Sequence, residues 1–159
     1  MSAIISDCKQ YRYQLQRGPQ AEFPTRAPAL FIMLNPSTAD AEIDDPTIRR
    51  CRSFANAWDC DGIVVANLYA LRATNPKELW LHPDPVGPDN DAYLRELAKH
   101  HETIVCAWGA KARPDRVEAV REIFSGRLHR LMCLGVTKKG APRHPLYIRR
   151  DQQLVEWKP

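Results

Sequence analysis

Four short segments spaced along the chain constrain its fold more than any other feature. They are Ala29–Leu34, Gly62–Ala66, Thr103–Ala107 and His129–Leu134. The first two are continuously apolar, the third is so from Ile104, and the fourth from Leu131. Each suits a strand in length and is too short for a core helix. Unbroken apolarity, rather than alternation, marks a strand covered on both faces, the usual setting of a parallel sheet. Helical patterns fall between them. Asp45-Pro46 offers an N-cap and a first-turn proline, and Ile48, Cys51, Ala55 and Trp58 follow at helical spacing. Asp89–His100 repeats the pattern with Tyr93, Leu94, Leu97 and Ala98, and Pro114–Phe124 with Val117, Val120, Ile123 and Phe124. Alternating strands and helices predict a three-layer α/β/α fold around a mostly parallel four-stranded sheet.

The remaining segments read as accessory. Cys8–Leu15 alternates polar residues with Tyr11, Tyr13 and Leu15, as a half-buried strand does. Gly18–Pro28 reads as a loop, Asn75–Trp80 as a short helical turn, and Leu81–Pro88 as irregular. Lys138–Tyr147 is a basic loop, and Asp151–Trp157 reads as a short final helix. A length of 159 residues suits one domain, residues 1–159. No apolar run approaches the ~20 residues needed to span a bilayer. Met1–Gln10 lacks the pattern of a signal peptide, so a bacterial-type cytoplasm is the expected compartment. The five cysteines are widely spaced, without a Cys-x-x-Cys pair. They suggest neither a disulfide framework nor a metal site, and no cofactor is expected.

Charge is uneven. Residues 111–150 carry eleven Lys or Arg against three acids, whereas residues 59–102 are net acidic. Such a basic third suits a phosphate-bearing partner. A solvated helix face beside a flexible loop accounts for the charge equally well.

Every one of the four segments leads into a distinctive polar signature. Ligands of open α/β sheets bind outside the carboxyl ends of parallel strands, so four signatures on one rim predict one shared site. After the first comes Asn35-Pro36-Ser37-Thr38. Pro36 restricts Asn35 to extended backbone, and an amide offers both donors and an acceptor for a water or a ligand edge. Ser37 and Thr38 can present hydroxyls or N–H groups to an anion; turn chemistry alone explains the same residues. Asp40, Glu42, Asp44 and Asp45 follow. Asp45 reads as the helix cap, leaving Asp40 and Asp44 as candidate general bases.

Asn67 follows the second segment and precedes Leu68-Tyr69. A polar amide there must find partners, in a neighbouring loop or on a ligand. Trp108-Gly109 follows the third, with Gly109 permitting close backbone approach. Trp108 also suits plain core packing. Lys111 and Arg113 lie where a phosphate can meet a helix N-terminus. Beyond the fourth, Lys138, Lys139 and Arg143 lead to His144-Pro145-Leu146. His144 is the candidate proton donor of this loop.

The stretches FIMLNPSTAD, DPTIRRC, GIVVANLYALRATNP, AWGAKA and GAPRHPLY resemble the bacterial and phage family numbered 1643 among the domains of unknown function, from about Ala29 to Trp157. More distantly, the rim motifs resemble the uracil-DNA glycosylase superfamily. There, an Asn-Pro turn follows the first strand, an Asn after the second reads the base, a Trp-Gly-x-x-Ala turn follows the third, and a His-Pro loop comes last. Asn35-Pro36, Asn67, Trp108-Gly109 with Ala112, and His144-Pro145-Leu146 are similar in that order.

That resemblance implies a nucleic acid, nucleoside or nucleotide as partner, no membrane, and base excision as the chemistry. Asn35 would position water and His144 would stabilise the departing base. Asn67 would read the base edge, with Tyr69 as the stacking aromatic. Lys138, Lys139 and Arg143 would hold phosphates. The chain departs from the pattern in lacking the Asp of the most active branch, since Asn35 occupies that region. A non-catalytic binding module, or a different hydrolase on the same sheet, stays open as an alternative.

Overall fold

A computed structural model describes residues 1–37 and 39–159. Its elements run β1 (Ser2–Ile5), β2 (Arg12–Arg17), β3 (Ala29–Met33), α1 (Pro46–Ala57), β4 (Ile63–Asn67), α2 (Lys77–Leu81), α3 (Asn90–Ala98), β5 (Thr103–Cys106), α4 (Pro114–Ile123), β6 (Arg130–Cys133) and β7 (Val155–Glu156). The α/β class holds, but the sheet is larger than expected. It is a mixed sheet of seven strands, ordered β1-β2-β4-β3-β5-β6-β7.

The four strands read from the apolar segments form its parallel centre, with β4 beside β3, β3 beside β5, and β5 beside β6. The additional strands all pair antiparallel. β1 and β2 extend one side and β7 the other. Ser2–Ile5 is too short and too plain in pattern to be read as a strand alone; pairing with β2 creates it. The expected helix over Asp151–Trp157 is instead extended. Trp157 is buried, stacks edge-on to Trp108 at 5.0 Å, and donates its backbone N–H to Leu131 O at 2.9 Å. Those tertiary contacts outweigh a weak local helical preference over so few residues.

Helices cover both faces of the sheet. Ile48, Cys51, Phe54 and Ala55 of α1 pack on Phe31, Val65 and Val105. Leu94 and Leu97 of α3, with Val120 of α4, pack on Leu30, Ile32, Val64 and Ile104. The helix after β3 and the helix after β5 thus lie on opposite faces, so the connections diverge between these neighbouring strands. That divergence opens a crevice at their carboxyl ends.

Strand β2 departs from simple alternation. Ile4 of β1 faces Gln14, but Ile5 faces Arg12, a one-residue slip in register. An extra residue in one strand reverses which side chains point to which face. Leu15 accordingly joins the α1 face, whereas Tyr11 and Tyr13 join the opposite one. This corrects the single apolar face that alternation predicts, and it turns Arg12 inward.

Candidate functional site

Register sets the rim. Met33 pairs with Asn67, Ile32 with Cys106, and Cys106 with Cys133. The residues after each strand therefore emerge at one level. They surround a cavity of about 400 Å3, within the ~300–1,000 Å3 typical of small-molecule sites. Asn35, Ser37, Asn67, Trp108, Gly109, Lys111 and His144 all line it. The four rim signatures are thus brought together in space.

Asn67 is the most informative of these. It is 1 % exposed, and its side-chain Nδ2 has no hydrogen-bond partner among the described residues. A buried amide donor without a partner costs roughly 1–3 kcal/mol. Its backbone is held firmly. Asn90 Nδ2 donates to Asn67 O at 3.0 Å and to Leu68 O at 3.2 Å, and Arg116 Nε donates to Leu68 O at 2.7 Å. Asn90 and Arg116 are themselves buried, and Arg116 pairs with Asp91 at 2.7 Å. The scaffold fixes the position of Asn67 and leaves its amide donor to the cavity.

Asn35 is half-buried. Both amide hydrogens are committed, to Pro36 O at 3.0 Å and Ala73 O at 2.8 Å. Its Oδ1 is left as the acceptor for water or a ligand donor. His144 accepts the Leu146 backbone N–H on Nδ1 at 3.2 Å. In the neutral ring the proton therefore sits on Nε2, which becomes a donor. Burial holds the His144 pKa below its ordinary value, although nearby Asp45 pulls it upward. Near neutral pH, His144 is an uncharged donor.

Asp45 has a second use that its sequence role concealed. One carboxylate oxygen caps α1 by accepting the Ile48 N–H at 2.8 Å, and the other accepts Ser37 Oγ at 2.9 Å. It also lines the cavity, which makes it the site's carboxylate. The candidates Asp40 and Asp44 do not line it. Asp40 Oδ1 accepts the N–H groups of Glu42 and Ile43, and these bonds lower its pKa. Asp44 binds Arg17 at 2.6 Å and Arg52 at 2.9 Å. Burial raises its pKa, but the two ion pairs outweigh that and leave it below the ordinary range. Both carboxylates organise the loop before α1 and are poorly placed as bases.

Other expectations also move. Tyr69 is not part of the lining; it is buried, packs edge-on against Trp80 at 5.3 Å, and accepts the Arg113 N–H at 3.2 Å. Arg113 lies over the Trp80 ring at 4.4 Å, also away from the cavity. Lys138, Lys139 and Arg143 are exposed beside the cavity loops and do not line it. Gly109 has φ +75°, as its turn requires, but its N–H goes to Pro142 O at 2.8 Å and is not free for an anion. Trp108 divides its surface between Trp157 and the cavity. Thr38 lies outside the described residues.

Sequence reading missed Arg12 altogether. It is 2 % exposed and lines the cavity. Its signal was weak, because alternation assigns position 12 to the solvent face and only the register slip reverses it.

The model of a protein family described as "Protein of unknown function (DUF1643)" matches residues 12–146. That span contains every described residue of the cavity lining. Neither the curated proteins nor the solved structures contain a match.

Proposed function

The chain belongs to the DUF1643 family, and we propose that its rim cavity binds a nucleobase, in a nucleic acid or a nucleoside derivative, and hydrolyses the N-glycosidic bond. One observation carries this reading: a buried, unpartnered amide donor at Asn67, fixed at a strand tip in a cavity of small-molecule size. Asn can match the hydrogen-bonding edge of a base, and a donor stranded by burial gains most from a ligand acceptor. The distant resemblance of the rim motifs to the uracil-DNA glycosylase superfamily implies the same role and a related three-layer sheet.

The other lining residues suit the chemistry. Water attacks the anomeric carbon as the carbon–nitrogen bond breaks, and the bonding electrons leave with the base. Asn35 Oδ1 orients the water. Asp45 takes up its proton, which ends on the departing base. The Nε2–H of neutral His144 stabilises negative charge developing on that base, as a fixed donor in a partly desolvated site. A base within a strand must first flip out to reach such a pocket. Lys138, Lys139 and Arg143, exposed in the loop that carries His144, would hold phosphates and make binding salt-sensitive.

Mass spectrometry of base release from oligonucleotides and nucleosides carrying normal, deaminated and modified bases tests the reading. Release is expected from the wild type, with loss in Asn67→Ala, Asn35→Ala and His144→Ala. Release that persists in all three folded variants removes the assignment. Binding without turnover favours a second reading, a non-catalytic module. The commitment of both Asp45 oxygens to Ser37 and Ile48 supports that alternative.

A further inference from the structure

Arg12 presents an unusual electrostatic situation. Its guanidinium is buried, yet no carboxylate of the described residues lies within ion-pair distance of it. NH1 donates to Ala39 O, and Nε has no partner among the described residues. Burial brings its pKa down to about 10, so it keeps its charge at neutral pH. At longer range Asp45 and Asp40 favour the charge and Arg72 and Arg17 oppose it. An uncompensated cation in such a place is costly.

Its position is firmly built. The Arg12 N–H donates to Ala70 O at 2.9 Å, and Tyr11 bridges Leu71. Strand β2 therefore continues alongside the chain leaving β4 and delivers Arg12 to the same rim as Asn67. The register slip in β2 turns the side chain inward. Lys111 adds an exposed cation on the cavity wall.

We propose that Arg12 is the receptor for a phosphate on the ligand, so that the substrate class of the cavity is a nucleotide rather than a bare base or nucleoside. This rests on the nucleobase reading of the same cavity. The guanidinium fork forms paired, charge-assisted hydrogen bonds with a phosphate. Arg12 and Asn67 then define the two ends of the ligand, anion and base edge.

Calorimetric titration tests this with nucleoside 5′-monophosphates, the matching nucleosides, inorganic phosphate, and short oligonucleotides bearing the same bases. Wild-type protein is expected to bind monophosphates about tenfold to a hundredfold more tightly than nucleosides. Arg12→Met should reduce that ratio to about one, with Arg12→Lys intermediate. Thermal unfolding checks that each variant is folded, and the wild-type comparison needs no variant. Equal affinity of wild type for nucleoside and monophosphate overturns the proposal, as does failure to bind any phosphate-bearing probe. If nucleosides still bind in an Asn67-dependent manner, the base reading survives that failure. Conversely, Arg12-dependent binding of inorganic phosphate, indifferent to base and to Asn67→Ala, supports the phosphate receptor and removes the base reading. Tighter binding of oligonucleotides than of monophosphates would assign the phosphate to a strand, and the reverse to a free nucleotide.

Discussion

Arg12 and Arg17 stand at opposite ends of one strand and are buried almost equally, at 2 % and 1 % exposure. Their surroundings differ completely. Arg17 Nε pairs with Asp44, while NH1 and NH2 reach the carbonyls of Ser2, Gln16, Asp40 and Ile43. Arg12 reaches one carbonyl and faces a cavity. Burial alone therefore says little about the role of a charge. What separates a structural arginine from a ligand-facing one is whether the fold itself satisfies it.

The largest expected effect breaks the Arg17 end. Arg17→Met leaves Asp44 with Arg52 as its remaining ion-pair partner and strands a set of carbonyls, and should cost about 3–5 kcal/mol in urea unfolding. Arg12→Met exchanges an unsatisfied charge for an apolar side chain and should be near neutral or stabilising. Equal losses in the two variants would abolish the distinction. Asp44→Asn comes next. It should cost about 2 kcal/mol at neutral pH, because Arg17 keeps its carbonyls while losing a charged partner. Asp44 has a lowered pKa in the folded state, so the unfolded chain takes up its proton first as pH falls. Its contribution is present above about pH 4 and fades through the acid range below. Acid unfolding of Asp44→Asn should lack that component, and an unchanged acid profile would deny the carboxylate its structural role.

The parallel centre of the sheet was legible because each of its strands carries its own signal. Ala29–Met33 and Ile63–Asn67 are apolar enough to demand cover on both faces, and Asp45-Pro46 fixes the start of α1 by local chemistry. The outermost strands were not legible, whereas β2 was read in part from the alternation of Cys8–Leu15. Ser2–Ile5 and Val155–Glu156 are strands only because a neighbour offers an edge. The same division runs through the site. Asn35, Asn67 and Trp108-Gly109 sit at the ends of recognisable segments, and His144 in the loop beyond the last of them, so their convergence followed from topology. Arg12 depends on a register slip that no local pattern announces. Asp45 was visible as a cap, and a cap hides any second task. Tyr69 stands two residues after Asn67, beyond the end of β4 where alternation no longer sets direction, and its side chain went to the core against Trp80.

The smallest expected effect separates Arg12 from His144, two titratable groups of the cavity. Arg12 stays charged across neutral and mildly acidic pH, whereas His144 changes state there. Burial lowers the folded-state pKa of His144, so below about pH 6.5 the unfolded chain binds its proton more readily than the folded one. Stability is full above that pH, falls as pH drops toward the lowered folded value, and declines no further from this group once both states are protonated. His101, half-buried and likewise lowered by desolvation, adds a parallel decline. His144→Gln should therefore lose part of the decrease in Tm between about pH 7.5 and pH 5 and retain the part due to His101. Arg12→Met should keep the whole decrease. If His144→Gln follows the wild-type profile instead, the ring is not desolvated in the folded protein. The cavity's neutral donor would then have to be sought in another residue.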